Sequence, residues 1–163
     1  MKKFTGLLIA ALVAAPGCYG ALIPVALAQP NYQLAELPDA GPTKILRSGT
    51  FVTGEHKTSG TVNLVKAADG RYYVELDKDF TTDKGPDLFV LLHRSPDLIK
   101  TTQPPNHSLT AGDYVLLSPL VKTKGFQRYI LAGNINPEDF NSVAIWCRQF
   151  NATFGAATLK VNR

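Results

Sequence analysis

From Thr50 to Val161 the chain is a succession of eight short runs rich in β-branched and aromatic residues, each bounded by turn residues. They are Thr50 to Thr53, Thr61 to Ala67, Tyr72 to Leu76, Leu88 to His93, Tyr114 to Leu117, Arg128 to Ala132, Val143 to Cys147 and Thr153 to Val161. Side chains of this kind fit a pleated, half-buried surface. Short runs at this spacing predict an all-β domain, an antiparallel β-sandwich or barrel-like fold of about eight strands.

The turns agree. Asp69-Gly70 sits between two alternating runs and predicts a two-residue hairpin, because that reversal needs positive φ, which Asp and Gly tolerate. Gly85-Pro86 and Gly112-Asp113 open the fourth and fifth runs, and Asn136-Pro137-Glu138-Asp139-Phe140 predicts one helical turn with Pro137 at its first position. In the second run Val62, Leu64 and Lys66 face one way while Thr61, Asn63 and Val65 face the other, as in a sheet with one wet side. Leu88-Phe89-Val90-Leu91-Leu92 is apolar on both faces, which predicts a central strand covered on both sides.

The N-terminus reads as an export signal. Lys2 and Lys3 precede an apolar stretch from Phe4 through Val13, no acid appears before Glu36, and Ala26-Leu27-Ala28 places small residues where a signal peptidase cuts. Cleavage after Ala28 is the favoured reading; lipidation at Cys18, behind Ala15-Pro16-Gly17, and an uncleaved anchor are the alternatives. All three put the folded part outside the cytoplasm, secreted or in the periplasm and cell envelope, with any membrane tie made through lipid at Cys18. Residues 29–47, rich in Pro and Ala, read as a flexible tether, and the β domain is expected over 48–163.

Removing 28 of 163 residues leaves 135, enough for one domain with a true core. The net charge of +4 falls to +2 when the two leader lysines go, too little and too evenly spread for nucleic-acid binding or a polybasic membrane patch. With Cys18 cleaved or lipidated, Cys147 has no partner for an intramolecular disulfide. A lone thiol in an oxidising compartment is either sealed in a core or does chemistry. The strand period puts Cys147 on one face with Val143 and Ile145, and Trp146 on the other with Ala144 and Arg148. That phase turns the sulfur toward the core.

The histidines are the candidate partners of a reactive or ligating Cys147. His56 lies in the Gly54-Glu55-His56-Lys57 reversal, His93 ends the buried fourth run, and His107 sits in the loop after Pro104-Pro105. No Cys-x-x-Cys-His is present, so covalent c-type haem is excluded, and Met1 in the leader is the only methionine. A blue-copper site wants a histidine after the cysteine, and none follows Cys147. A b-type haem on histidine or cysteine is the metal scheme that survives, with His56, His93, Cys147 and Trp146 as the candidate cofactor-binding residues. The loop from Asp77 to Asp87 holds four carboxylates, but the EF-hand order fails at Thr82 and Leu88 and two lysines interleave, so a solvated turn is expected, with Asp87 capping local amides. Hydrolase signatures (Gly-x-Ser-x-Gly, His-Glu-x-x-His, a phosphate-cradling loop) are absent.

One resemblance spans nearly the whole mature chain. Gly49-Thr50-Phe51, then His56 with Ser59-Gly60-Thr61-Val62, then Gly85-Pro86-Asp87-Leu88-Phe89-Val90-Leu91-Leu92, and Val143-Ala144-Ile145-Trp146-Cys147 with Phe150 and Phe154, resemble the DM-thirteen domain from about Ser48 to Leu159. The resemblance implies an extracellular, β-rich module linked in function to the DOMON haem- and sugar-binding modules. It also implies electron transfer through the cysteine that Cys147 matches, as a bare thiol or a cofactor ligand, with Cys147 the redox candidate. Unlike animal members, this sequence carries one copy and no attached DOMON domain, so its partner, a redox or cell-envelope protein, is expected in trans. The residues alone leave a second reading open, a non-catalytic envelope β-sandwich in which Cys147 fills space.

Overall fold

The computed structural model describes residues 41–162; the segment read as an export signal, the expected cleavage after Ala28, Cys18 and the expected tether as far as residue 40 lie outside the described residues. Twelve strands appear among the described residues. They are β1 (Thr43–Thr50), β2 (Val52–Thr53), β3 (Thr58–Ser59), β4 (Thr61–Ala67), β5 (Tyr72–Leu76), β6 (Thr81–Thr82), β7 (Leu88–His93), β8 (Tyr114–Pro119), β9 (Gln127–Ile130), β10 (Ser142–Cys147), β11 (Ala152–Thr158) and β12 (Lys160–Val161). A single-turn helix, α1 (Leu98–Thr101), and a 3-10 turn at Pro137–Asp139 complete the elements. All strand pairs are antiparallel.

Two five-stranded sheets face one another, the first in the order β12-β1-β4-β5-β9 and the second in the order β2-β11-β10-β7-β8. Between them lies one apolar core, to which the first sheet contributes Val62, Leu64, Val74, Leu76 and Tyr129 and the second Val90, Leu92, Val143, Ile145 and Ala157. The fold is therefore a β-sandwich, with the two inner faces interdigitating as alternation demands. β7 lies inside its sheet between β10 and β8, and all six of its residues are buried. Leu88, Val90 and Leu92 enter the inter-sheet core, while Phe89 and Leu91 enter a second cluster on the outer face with Leu98, Leu109, Ala144, Trp146 and Ala156. Residues 94–113, which join β7 to β8 and carry α1, supply Leu98 and Leu109 to that cover. This is why the run from Leu88 to Leu92 tolerates no polar phase.

Three expectations are corrected. β1 begins at Thr43, inside the segment read as a tether, because it pairs with β4 from Thr43 opposite Ala67 onward, and Arg47 on it is buried, its guanidinium donating to Phe140 O at 2.8 Å and Pro137 O at 2.5 Å. Arg47→Ala removes the guanidinium donor from Phe140 O and leaves Pro137 O with only the Phe140 N–H, and a loss of about 2–4 kcal/mol in urea unfolding is expected. Secondly, the Asp69-Gly70 hairpin uses three loop residues. Gly70 N–H donates to Ala67 O, only Gly70 takes positive φ (+87°), and Ala67 N–H closes on Arg71 O, so one left-handed residue after an ordinary turn suffices. Thirdly, the outer face of the first sheet is not wholly wet: Val65, Ala67 and Tyr73 are buried together there, with Arg71 and Arg128 guanidiniums 5.8 and 5.4 Å from the Tyr73 ring. Two long cationic side chains lay their apolar stems and planar heads against an aromatic ring.

Candidate functional site

Cys147 is the last residue of β10, pairs with Leu88 of β7 and Ala152 of β11, and is a free thiol with 0 % exposure in the inter-sheet core. The phase expected from alternation holds, since Val143 and Ile145 share that core with it while Ala144 and Trp146 lie in the outer cluster. Trp146 is thus adjacent to the sulfur in sequence but separated from it by the sheet. Its indole N–H donates to Asn151 Oδ1 at 3.0 Å and its ring meets Tyr114 at 5.4 Å.

Arg148 follows the sulfur onto the outer side. Its Nε and Nη2 donate to the two Asp87 oxygens at 2.8 and 3.3 Å, its guanidinium lies 4.6 Å from the Phe89 ring, and its backbone N–H donates to Asp87 O at 3.0 Å. Asp87 therefore fastens the strand end that carries Cys147, instead of capping amides of its own loop. The backbone bond makes Arg148 and Asp87 a hydrogen-bonded pair, so the next pair, Cys147 and Leu88, is the closely spaced kind in which side chains press together.

The histidines do not gather around the sulfur. His93 pairs with Ser142 at the other end of β10, five residues or roughly 17 Å along the strand, and on the opposite face from Cys147. Its Nδ1 accepts the Ser95 N–H at 2.9 Å, which leaves the ring proton on Nε2. A metal-bound imidazole shows the reverse arrangement, with its second nitrogen donating. Burial pushes the His93 imidazole below its ordinary value, against an opposing pull from Asp113. His56 is half-exposed, stacks on Phe154 at 4.1 Å between ring centroids, and stands 3.9 Å from Asp83. Phe154 belongs to the same core cluster as Cys147, so it is the aromatic body on which His56 rests at the sandwich end. His107 is buried in the 94–113 loop with Nδ1 3.0 Å from Thr102 Oγ1.

Among the described residues no three His, Cys, Asp or Glu side chains converge in a way that could hold a metal. A haem iron on Cys147 meets a further obstacle: at 0 % exposure no water-sized space touches the residue, so no side of the sulfur is open to a porphyrin. This donor set does not fit a haem or metal held jointly by Cys147 and His93. The acidic loop is also dispersed, as its carboxylates serve separate local bonds. Asp77 accepts from Lys78 N–H, Asp79 from the Thr61 N–H and hydroxyl, and Asp83 from Lys57 N–H.

Leu88, Asp87, Asn151 and Ser95 escaped the sequence reading as site-shaping residues. Only strand register could have found the first two, and no local signal marks the others.

The fold and this centre define a two-sheet β-sandwich with one thiol sealed at the end of a central strand. The family model described as electron transfer DM13 matches residues 50–159, and the chain belongs to that family. Among curated proteins and solved structures, none matches the chain.

Proposed function

We propose that this protein is an exported electron-transfer module of the DM13 family, with Cys147 as its redox-active group acting as a bare thiol toward a partner in the cell envelope. Family membership across residues 50–159 is the observation that carries this reading, because that span includes the β7, β10 and β11 residues enclosing the sulfur. The bare thiol is preferred to a cofactor ligand because no three metal-ligating side chains converge among the described residues and Cys147 has no exposed surface. A thiol this enclosed reacts only through local opening, and its place as the final residue of β10 makes fraying of that strand end the shortest route. The Asp87–Arg148 pair is what such fraying has to break.

The zero exposure of Cys147 favours a second reading, a non-catalytic envelope sandwich in which the sulfur packs as a small apolar group. Thiol labelling of the purified folded protein separates the two. The redox reading expects slow native labelling, blocked by prior oxidation and accelerated when Arg148→Ala loosens the strand end. Labelling that keeps pace with global unfolding across a urea series would leave only the packing role. Cys147→Ser should abolish any redox signal and retain the β-sheet circular dichroism. A visible absorption spectrum before and after dithionite is expected to show no Soret band; such a band would restore the haem alternative.

A further inference from the structure

The 94–113 loop covers the outer cluster of the second sheet, contributing Leu98, 1 % exposed, from its first half and Leu109 from its second, with Ile99 packed against the cluster. Its two halves are held differently. The second half is tied by Asn151 to both backbone groups of Leu109, and by Thr153, which is fully buried, to Asn106 O and His107 O. The first half leaves β7 at His93 and is also tied through Arg94 O, which accepts from Asn141 Nδ2 at 2.8 Å, and Pro96 O, which accepts the Thr158 hydroxyl; its first turn is closed by the Ser95 N–H donating to His93 Nδ1. Ser95 in turn accepts the Ser142 hydroxyl at its carbonyl and meets Thr101 Oγ1 at 3.1 Å, so the imidazole, Ser95 and α1 are bonded in series.

An N–H donating to Nδ1 is compatible only with the neutral ring. A protonated imidazole carries hydrogen on both nitrogens, so it presents a donor to a donor. His93 is 6 % exposed, yet it lines a cleft of about 340 Å³ with Arg94, Thr102, Ser108, Thr110 and Asp113, so solvent protons reach it. The charged and titratable groups around it are Asp113 at the start of β8, Arg94 beside it over the Phe140 ring, Asp97 paired with Lys100 at 2.6 Å, and His107 in the loop's second half.

We propose that His93 is an acid-sensitive latch: its neutral ring holds the first half of the 94–113 loop, with α1, against the outer face of the second sheet, and its protonation lets that half lift from the Trp146 cluster. The second half stays bound through Asn151 and Thr153 and serves as the hinge. Because burial lowers the folded-state value below the ordinary 6.5, the latch contributes fully above pH 6.5 and is lost as pH falls through the folded value. Opening withdraws Leu98 and Ile99 from the cluster that holds Trp146 and exposes an apolar face available only in acid.

Trp146 is the only tryptophan, so its emission reports the cluster directly. An acid titration of the purified protein should shift that emission to the red and weaken the near-ultraviolet tryptophan dichroism, with a midpoint below pH 6.5 and far-ultraviolet dichroism unchanged. His93→Asn supplies an acceptor that does not titrate and should lose the transition, whereas His107→Asn should keep it. In the unsubstituted protein the Ser95 amide proton should shift upfield on the same midpoint, a readout that does not depend on any variant folding. Persistence of the transition in His93→Asn, a simultaneous loss of far-ultraviolet signal, or an unmoved Ser95 amide would each overturn the latch.

Discussion

Val90→Asp is expected to yield no folded protein: soluble expression should collapse, and any recovered chain should lack a cooperative urea transition. Val90 has 0 % exposure, sits on the interior strand of its sheet, and points into the inter-sheet core with Leu88 and Leu92. A carboxylate there has no cation to pair with among those aliphatic neighbours, and the effective cost of burying an unpaired ion is several kcal/mol. Whole domains are stable by only about 5–15 kcal/mol. Leu116→Asp provides the control. Leu116 lies on β8, the neighbouring edge strand, at 36 % exposure, so the new charge reaches water and the loss should stay below about 1.5 kcal/mol. Similar losses at the two positions would contradict the placement of β7 between two apolar layers.

Asn151→Ala should cost about 3–5 kcal/mol, read as a shift of the urea midpoint without change in slope. Asn151 takes φ +47° in the turn between β10 and β11, a conformation that Asn tolerates better than Ala. Its amide also makes three bonds: Oδ1 accepts from Leu109 N–H at 2.9 Å and from the Trp146 indole at 3.0 Å, and Nδ2 donates to Leu109 O at 3.1 Å. Two substitutions divide the loss. Asn151→Gly relieves the backbone and should recover about 1 kcal/mol of it. Asn151→Asp keeps both acceptor roles and loses one donor, so it should fall between wild type and alanine. Equal losses for alanine and aspartate would mean that the hydrogen bonds contribute little. The same three bonds make Asn151 unsuitable as a glycan acceptor in the folded state, although Asn151-Ala152-Thr153 fits the acceptor pattern; Thr153 is itself fully buried.

The face on which Cys147 lies was legible because a strand has a period of two and β10 keeps its register with β7 from Ser142 to Cys147 without interruption. The companions of that sulfur were not. His93 is 54 residues from Cys147 in sequence, and only the antiparallel pairing of β7 with β10 puts them at opposite ends of the same two strands. His56 needed the fold of the short β3 and β6 strands, which carry too few residues to announce themselves, before its place on Phe154 could be known. The bulge between Ile145 and Trp146 against β11 is likewise invisible in composition. It admits the extra residue, Phe154, whose side chain still enters the inter-sheet core.

Taken alone, the order of apolar and polar residues determined the strand class, the doubly covered β7, the inward thiol and the membership of a family, because each of these is a matter of local periodicity or of residue order along the chain. Tertiary structure decided what surrounds the sulfur, which histidine nitrogen carries a proton, and which loop covers Trp146. Those depend on register between strands far apart in sequence and on which buried donors and acceptors find one another, and both are settled only when the two sheets close and exclude water.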